Sequence, residues 1–201
     1  MKKQLFTCLG FLLILFWGCA TSGQKFISIN YLGDHEKTHT GKIGIADFTD
    51  QRSDMGKGYV GYRVLMDKSQ ETYMVQGLSL ADSFKKAIIT YYEKNGYTTS
   101  SIKPWALTPK GVSTASQDFN QIMAGKINKF ECRATKKGGR TEMTLDIGLT
   151  LYQGMVENST LKTTPVSFTL ERTEFTFNQD KLELFVNQAL GEVIQKALIL
   201  E

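Results

Sequence analysis

The amino-acid sequence predicts an α+β fold: a two-layer sandwich in which two amphipathic helices cover one face of a mostly antiparallel sheet. Three observations predict it. Met143, Leu145, Ile147, Leu149 and Leu151 alternate with Thr144, Asp146, Gly148 and Thr150, which gives a strand one buried face and one wet face. Apolar residues recur at helical spacing twice, over 79–95 and over 179–200. The order is strands, helix, a three-strand meander and a second helix. The polar face of the central strands leaves only the other face for both helices.

The elements follow in chain order. Lys2 and Lys3 precede an apolar run from Leu5 to Trp17, a charged segment followed by a hydrophobic one as in an export signal. The run is shorter than the ~20 residues that span a bilayer. Gly18-Cys19-Ala20-Thr21-Ser22-Gly23 comes directly after it. Residues 1–18 are therefore expected to be a signal peptide, 19–41 a polar tether and 42–201 one domain. Within the tether only Phe26-Ile27-Ser28-Ile29 is apolar. Lys42–Phe48 is a strong strand, 49–58 a polar loop, and Tyr59–Met66 and Glu71–Val75 are shorter strands. Over Ser79–Asn95 the positions Leu80, Phe84, Ala87, Ile88, Tyr91 and Tyr92 form a helical stripe. Ser79 with Asp82 makes a capping-box start, and Gly96 stops the helix. Residues 97–118, with Pro104 and Pro109, read as a long irregular connection.

Ile122 to Ala134 is the partner of the alternating strand, joined to it by the turn Lys136-Lys137-Gly138-Gly139-Arg140. Its apolar phase slips between Ile127 and Phe130, the mark of a bulge. Val166, Phe168 and Leu170 begin a third strand, and Phe175 and Phe177 end it in the other phase. Leu182, Phe185, Val186, Ala189, Leu190, Val193, Ile194, Ala197 and Leu198 stripe the closing helix, capped by Asn178.

Composition narrows the function classes. With 41% hydrophobic and 22% charged residues, a packed core is expected. The net charge of +4 includes Lys2 and Lys3 of the signal, and the remainder is too balanced for a nucleic-acid partner. Cys8 lies in the signal, and the lipid that the resemblance given below implies would take up Cys19, so Cys132, in phase with Phe130 and Ala134, is a lone core thiol with no disulfide partner.

Several strings resemble chemistry. His35-Glu36-Lys37-Thr38-His39 spells H-E-x-x-H, in which a helix presents two zinc ligands one turn apart beside a glutamate base. It lies between Gly33 and Gly41 with no apolar face to hold a helix, and no third ligand suggests itself. A polar loop is the favoured reading and a metallopeptidase the remote one. Gly56-Lys57-Gly58-Tyr59-Val60-Gly61 spells G-x-G-x-x-G without the preceding strand and following helix of a dinucleotide site. Asp47, Asp50 and Asp54 lack the order of a calcium loop. Lys136, Lys137 and Arg140 fit a solvated turn, with anionic headgroups as the alternative. No cofactor and no catalytic group is implied.

The Gly18-Cys19 junction resembles the lipobox of bacterial lipoproteins, which implies a diacylglyceryl group on Cys19 as the mature N-terminus. Phe16 and Trp17 depart from that consensus. Ala20 differs from the Asp that resembles an inner-membrane retention signal, which implies the outer membrane, facing the periplasm. A broader resemblance runs through Ile43–Arg52, Gly58-Tyr59-Val60-Gly61, Asn95-Gly96-Tyr97 and Met123–Phe130. These segments are similar to YajG-like envelope lipoproteins. They are more loosely similar to the auxiliary lipoproteins of ABC-type lipid transport systems and to LptE and CsgG periplasmic domains. The resemblance implies no catalytic residues. Asp50, Arg52 and Gly61 match its recurrent positions, which implies a structural salt bridge or a loop-fixing role.

The expected function is thus a non-catalytic, lipid-anchored binding, assembly or transport-accessory protein with an envelope protein partner, oligomer formation remaining open. The alternative is a lipid- or glycolipid-binding lipoprotein. Changing Cys19 to Ser is expected to abolish fatty-acid labelling and leave an unprocessed precursor. Unchanged labelling in that variant would remove the lipoprotein reading.

Overall fold

The computed structural model describes residues 23–33, 38–53, 55–77, 79–115 and 118–198. In chain order its elements are β1 (Gln24–Ile27), β2 (Lys42–Ile45), β3 (Thr49–Asp50), β4 (Tyr59–Val64), β5 (Gln70–Val75), α1 (Leu80–Lys94), β6 (Thr98–Ser101), α2 (Pro109–Thr114), β7 (Gln121–Lys137), β8 (Arg140–Met155), β9 (Thr160–Glu174) and α3 (Gln179–Ala197).

The meander β7–β8–β9 is the frame. Gly138 turns the first hairpin with φ +59°, a conformation that costs glycine nothing. The inward residues of β8, Met143 to Leu151, are all buried. In β7 the register shifts between Ile127 and Lys129, so that Met123 and Ile127 before it and Phe130, Cys132 and Ala134 after it all reach the same core. The bulge thus allows two opposite sequence phases to serve one face.

The second edge of β7 is forked. Going along it, β2 pairs with 121–123, β3 with 126–127 and β4 with 132–135, all parallel. Beyond β2 lies β6; beyond β4 lie β5 and then β1. Of the eight strand pairings among the described residues, five are parallel and three antiparallel. The mostly antiparallel sandwich expected from the sequence is therefore corrected to a mixed, curled sheet. Tight turns announce hairpins in a sequence, whereas parallel neighbours are joined by long crossovers that leave no local mark.

Both long helices pack into one core with the inward strand residues. Ser79 and Asp82 form the capping box at α1, and Asn178 accepts from the Lys181 amide at the start of α3. Phe84 of α1 meets Phe130 edge-on at 5.4 Å, and the Tyr91 hydroxyl donates to the Leu198 carbonyl at 3.1 Å. The stretch 97–118 is also corrected: it contains β6 and α2. Thr108 caps α2, Pro109 occupies its first turn, and Val112 is buried against Ile122 and Gly154. A third helix thus covers one end of the sheet face that α1 and α3 leave open.

The tether is corrected over Gln24–Tyr31. Ile27, Ile29 and Tyr31 are core residues, and β1 is a parallel strand on β5. The curl of the sheet lets α3 touch β9 and β1 at once. Asn187 Nδ2 donates to the Ser28 carbonyl at 3.0 Å, and its Oδ1 accepts from the Asn30 amide at 2.9 Å. Glu183 accepts from the Ser28 amide at 2.9 Å. The sequence hid this because β1 is only four residues long and its partners are 48 residues or more away. The signal expected over 1–18 and Cys19 lie outside the described residues.

Emptying the fully buried Phe185 site by Phe185→Ala is expected to cost about 3–5 kcal/mol. Asn187→Ala, which strands two backbone groups, should cost about 1–3 kcal/mol. Urea unfolding of the two variants measures both; an Asn187 variant as stable as the parent would show that α3 does not hold the N-terminal strand.

Candidate binding surfaces

Where the sheet forks, no strand among the described residues lies beside 128–131 of the β7 edge. The guanidinium of Arg52 occupies that gap. Its Nη1 donates to the Phe130 and Tyr59 carbonyls, both at 2.8 Å, joining β7 to the start of β4. Its Nε and Nη2 donate to the two oxygens of Asp50 at 2.9 and 2.7 Å, a two-pronged pair only arginine makes. The Arg52 amide also donates to Asp50 at 3.1 Å, and the Gln51 amide to the Ile127 carbonyl at 2.9 Å. The Arg52 side chain is 4% exposed. Burial alone would raise the Asp50 carboxyl, but the hydrogen bonds and charge of Arg52 outweigh it and hold the group below its ordinary 3.8. A recess of about 240 Å³ beside this pair is lined by Gln51, Arg52, Met55, Asn128 and Glu131. Its one buried cation is already committed to protein acceptors, so the arrangement joins strands and is poorly suited to holding an anion.

Gly61 sits in the same joint. A Cβ there would lie 1.8 Å from the Cys132 carbonyl oxygen, so β4 can approach β7 only through glycine. Burial pushes the Cys132 thiol up to about 12, which keeps it protonated and inert.

A second surface is the outer face of the meander. Asp146 lies at its centre and is buried. Thr169 donates to it at 2.7 Å, with Arg133 at 2.8 Å and Lys129 at 3.0 Å. Burial works against the charge of Asp146, yet these three partners lower its carboxyl on balance. Asn128 donates to Thr150 at 2.9 Å, and the Lys126 ammonium stands 5.5 Å from the Tyr152 ring centre. Among the described residues β9 pairs only with β8, which leaves the other side of a 15-residue strand open. Pro165, near its middle, is the kind of residue that blunts such an edge.

A third surface is a groove of about 640 Å³ between β6 and α2. Ile102, Pro104, Trp105, Ala106 and Phe119 form its apolar walls, and Lys103 stands at its lining.

No protein-family model and no curated protein sequence matches the chain. Solved structures match its fold. Protein XCC0632 from Xanthomonas campestris, of the family model DUF330, superposes with a TM-score of 0.53 at 10% identity, over 86% of this chain and 91% of that one. A structure described only as an uncharacterized protein superposes with a TM-score of 0.50 at 11% identity, over 87% and 95%. Lipoprotein GNA1162 from Neisseria meningitidis aligns over 76% and 96%, at 9% identity and a TM-score of 0.28, too slight a likeness to carry an argument. At these identities the first two show a shared architecture.

The motif strings separate. His35 and Glu36 lie outside the described residues. His39 stacks on the Tyr97 ring at 5.4 Å, and residues 38–40 are not helical, so the turn that would pair two zinc ligands is not present at its C-terminal half. Among the described residues no group of three His, Cys, Asp or Glu side chains is placed to hold a metal. Gly58 leads into β4 with no helix opening from the glycine string. Asp47 pairs with Lys85 at 2.7 Å, Asp50 with Arg52, and Asp54 lies outside the described residues. Sequence reasoning passed over Asp146 and Asn187. Asp146 stands between Leu145 and Ile147, and Asn187 follows Val186 and precedes Leu190 by one helical turn, which is the signal that was available.

Arg52→Ala should destabilise the domain by about 3–5 kcal/mol, because it leaves a partly buried carboxylate and two carbonyls unpaired. Arg52→Lys should recover only part of it. Since the Asp50 carboxyl is depressed in the folded state, its contribution is present above the ordinary 3.8 and lost as pH falls through the depressed value. Chemical denaturation at several pH values below 5 should therefore show the wild type converging on the Ala variant. A constant difference across that range would place the stabilisation elsewhere.

Proposed function

We propose that this chain is a non-catalytic envelope lipoprotein, anchored by a lipid on Cys19 at the outer membrane and facing the periplasm. It acts there as a binding, assembly or transport-accessory module. One observation carries the binding part. The inner face of the meander is sealed by two helices, while the outer polar face continues into an open 15-residue strand edge. A polar face bordered by unused backbone groups suits a protein partner that adds a strand, and the same edge would admit a second copy of the chain. The lipobox-like Gly18-Cys19 and the similarity of Ile43–Arg52 to YajG-like and ABC-transport-auxiliary lipoproteins support the location. The Arg52 joint supports a structural reading of Asp50, Arg52 and Gly61, since all three act on the strand fork.

The second reading is a lipid- or glycolipid-binding lipoprotein. The groove at Trp105 and Phe119 favours it, being of a size that fits small ligands. The zinc-peptidase alternative has no observation in its favour.

A photo-crosslinking residue placed at Ser167, exposed on the outer face of β9, separates the two when compared with one at Lys103 in the groove. In intact cells the Ser167 position is expected to trap a protein adduct and the Lys103 position none. Lipid adducts at Lys103 with nothing at Ser167 would replace the first reading by the second.

A further inference from the structure

We infer that the end of the domain formed by the β4–β5 and β7–β8 hairpin tips and by Phe175 lies directly on the phospholipid surface to which the chain is anchored. The inference rests on the lipid at Cys19 and adds an orientation to it.

The strand register defines this end. Gln24 is level with Thr72, Thr72 with Tyr62, Tyr62 with Arg133 and Arg133 with Thr144. From that level β4 and β7 run toward their hairpin tips, and β1 and β5 run away from them. The chain therefore enters the domain from the tip side, and Gly23 stands about level with Ala134. From Ala134 to the turn at Gly138 is four residues, or roughly 14 Å at ~3.4 Å per residue. From Gly23 back to Cys19 is also four residues, which span at most about 14 Å however they are arranged. Acyl chains on Cys19 must lie in hydrocarbon. A chain that can barely reach the level of the tips leaves no room for the domain to stand clear of the headgroups. It also excludes the groove end of the molecule from that role.

The side chains at the tips suit such a surface. The two most exposed large apolar residues of the described chain are Phe175, 82% exposed, and Met66, 67% exposed. Both are at this end: Met66 lies beyond the Val64–Gln70 pair that closes the β4–β5 hairpin, and Phe175 follows Glu174, which is level with Thr141. Lys68, Lys136, Lys137, Arg140 and Lys181 stand at this end against Asp67, Glu142 and Glu174; Glu142 pairs with both Lys137 and Arg140, and Glu174 with Lys181. Apolar tips within a mildly basic rim insert shallowly and are attracted to anionic headgroups. The opposite end, at the β8–β9 turn, has Glu157 exposed.

The test uses the full chain, expressed with its own signal and reconstituted in vesicles of phosphatidylethanolamine and phosphatidylglycerol. An environment-sensitive fluorophore is attached at Met66→Cys or, as the far-end control, at Glu157→Cys. Cys132 is 1% exposed and stays unlabelled. Brominated acyl chains should quench the Met66 position about twofold or more and leave the Glu157 position unchanged, because bromine acts only at contact depth. No quenching at Met66, or equal quenching at both positions, overturns the orientation. Shielding of the Met66 label from a water-soluble quencher without bromolipid quenching also overturns it, in favour of a protein surface. Mass spectrometry of the purified protein reports the anchor separately. An unmodified Cys19 removes the lipoprotein reading and this inference with it. An acylated Cys19 with an unquenched Met66 label removes this inference alone.

Discussion

A strand has two edges, and β7 is required to pair with more than two neighbours. One edge is filled by β8 along its whole length. The other is divided among β2, β3 and β4, and among the described residues no strand lies beside the backbone at 128–131. Unpaired backbone inside a fold is costly. Arg52 resolves this by placing two donors of one guanidinium on carbonyls from both sides of the gap, with Asp50 holding the plane of the group. The two halves of the forked sheet are then one unit. The bulge after Ile127 falls at the same level, where a break in the ladder is already tolerated. The close approach at Gly61 begins immediately beyond it.

What could be read from the sequence follows from how local each signal is. The alternation in β8, the phase slip in β7, the capping box at Ser79 and the cap at Asn178 are all written within a few residues, and each appears where its pattern places it. The parallel pairing of β2 and β4 on β7 is not local. It joins residues far apart in the chain, Gly61 with Cys132 and Ile43 with Gln121, and nothing in Lys42–Ile45 specifies which way its neighbour runs. β1 was hidden for the same reason, together with its brevity. In the candidate surfaces, Asp50, Arg52 and Gly61 were visible as a spaced motif, although not the gap they fill. Asp146 was read as one polar position among several, because the sequence does not show that Lys129, Arg133 and Thr169 converge on it. The groove at Trp105 is unreadable in the sequence, since β6 and α2 are too short to show a period against Pro104 and Pro109.

The helix α3 also does more than its apolar stripe indicates. The stripe explains the burial of Leu182, Phe185, Leu190 and Ile194 against the sheet. The side chains beside the stripe, Glu183 and Asn187, reach the backbone of 28–30 and so attach the first strand of the domain to its last helix.

That attachment sets the order of events in folding. The Asn30 and Ser28 backbone groups and the Asn187 amide are separated by 157 and 159 positions in the chain. Residue 30 leaves the ribosome long before residue 187, and contacts this distant form late and slowly. The first strand must wait, with one partner missing, until almost the whole polypeptide has emerged. Delayed closure of this kind leaves the apolar residues of the N-terminal half uncovered until the last helix arrives, the stage at which a nascent chain is most open to aggregation.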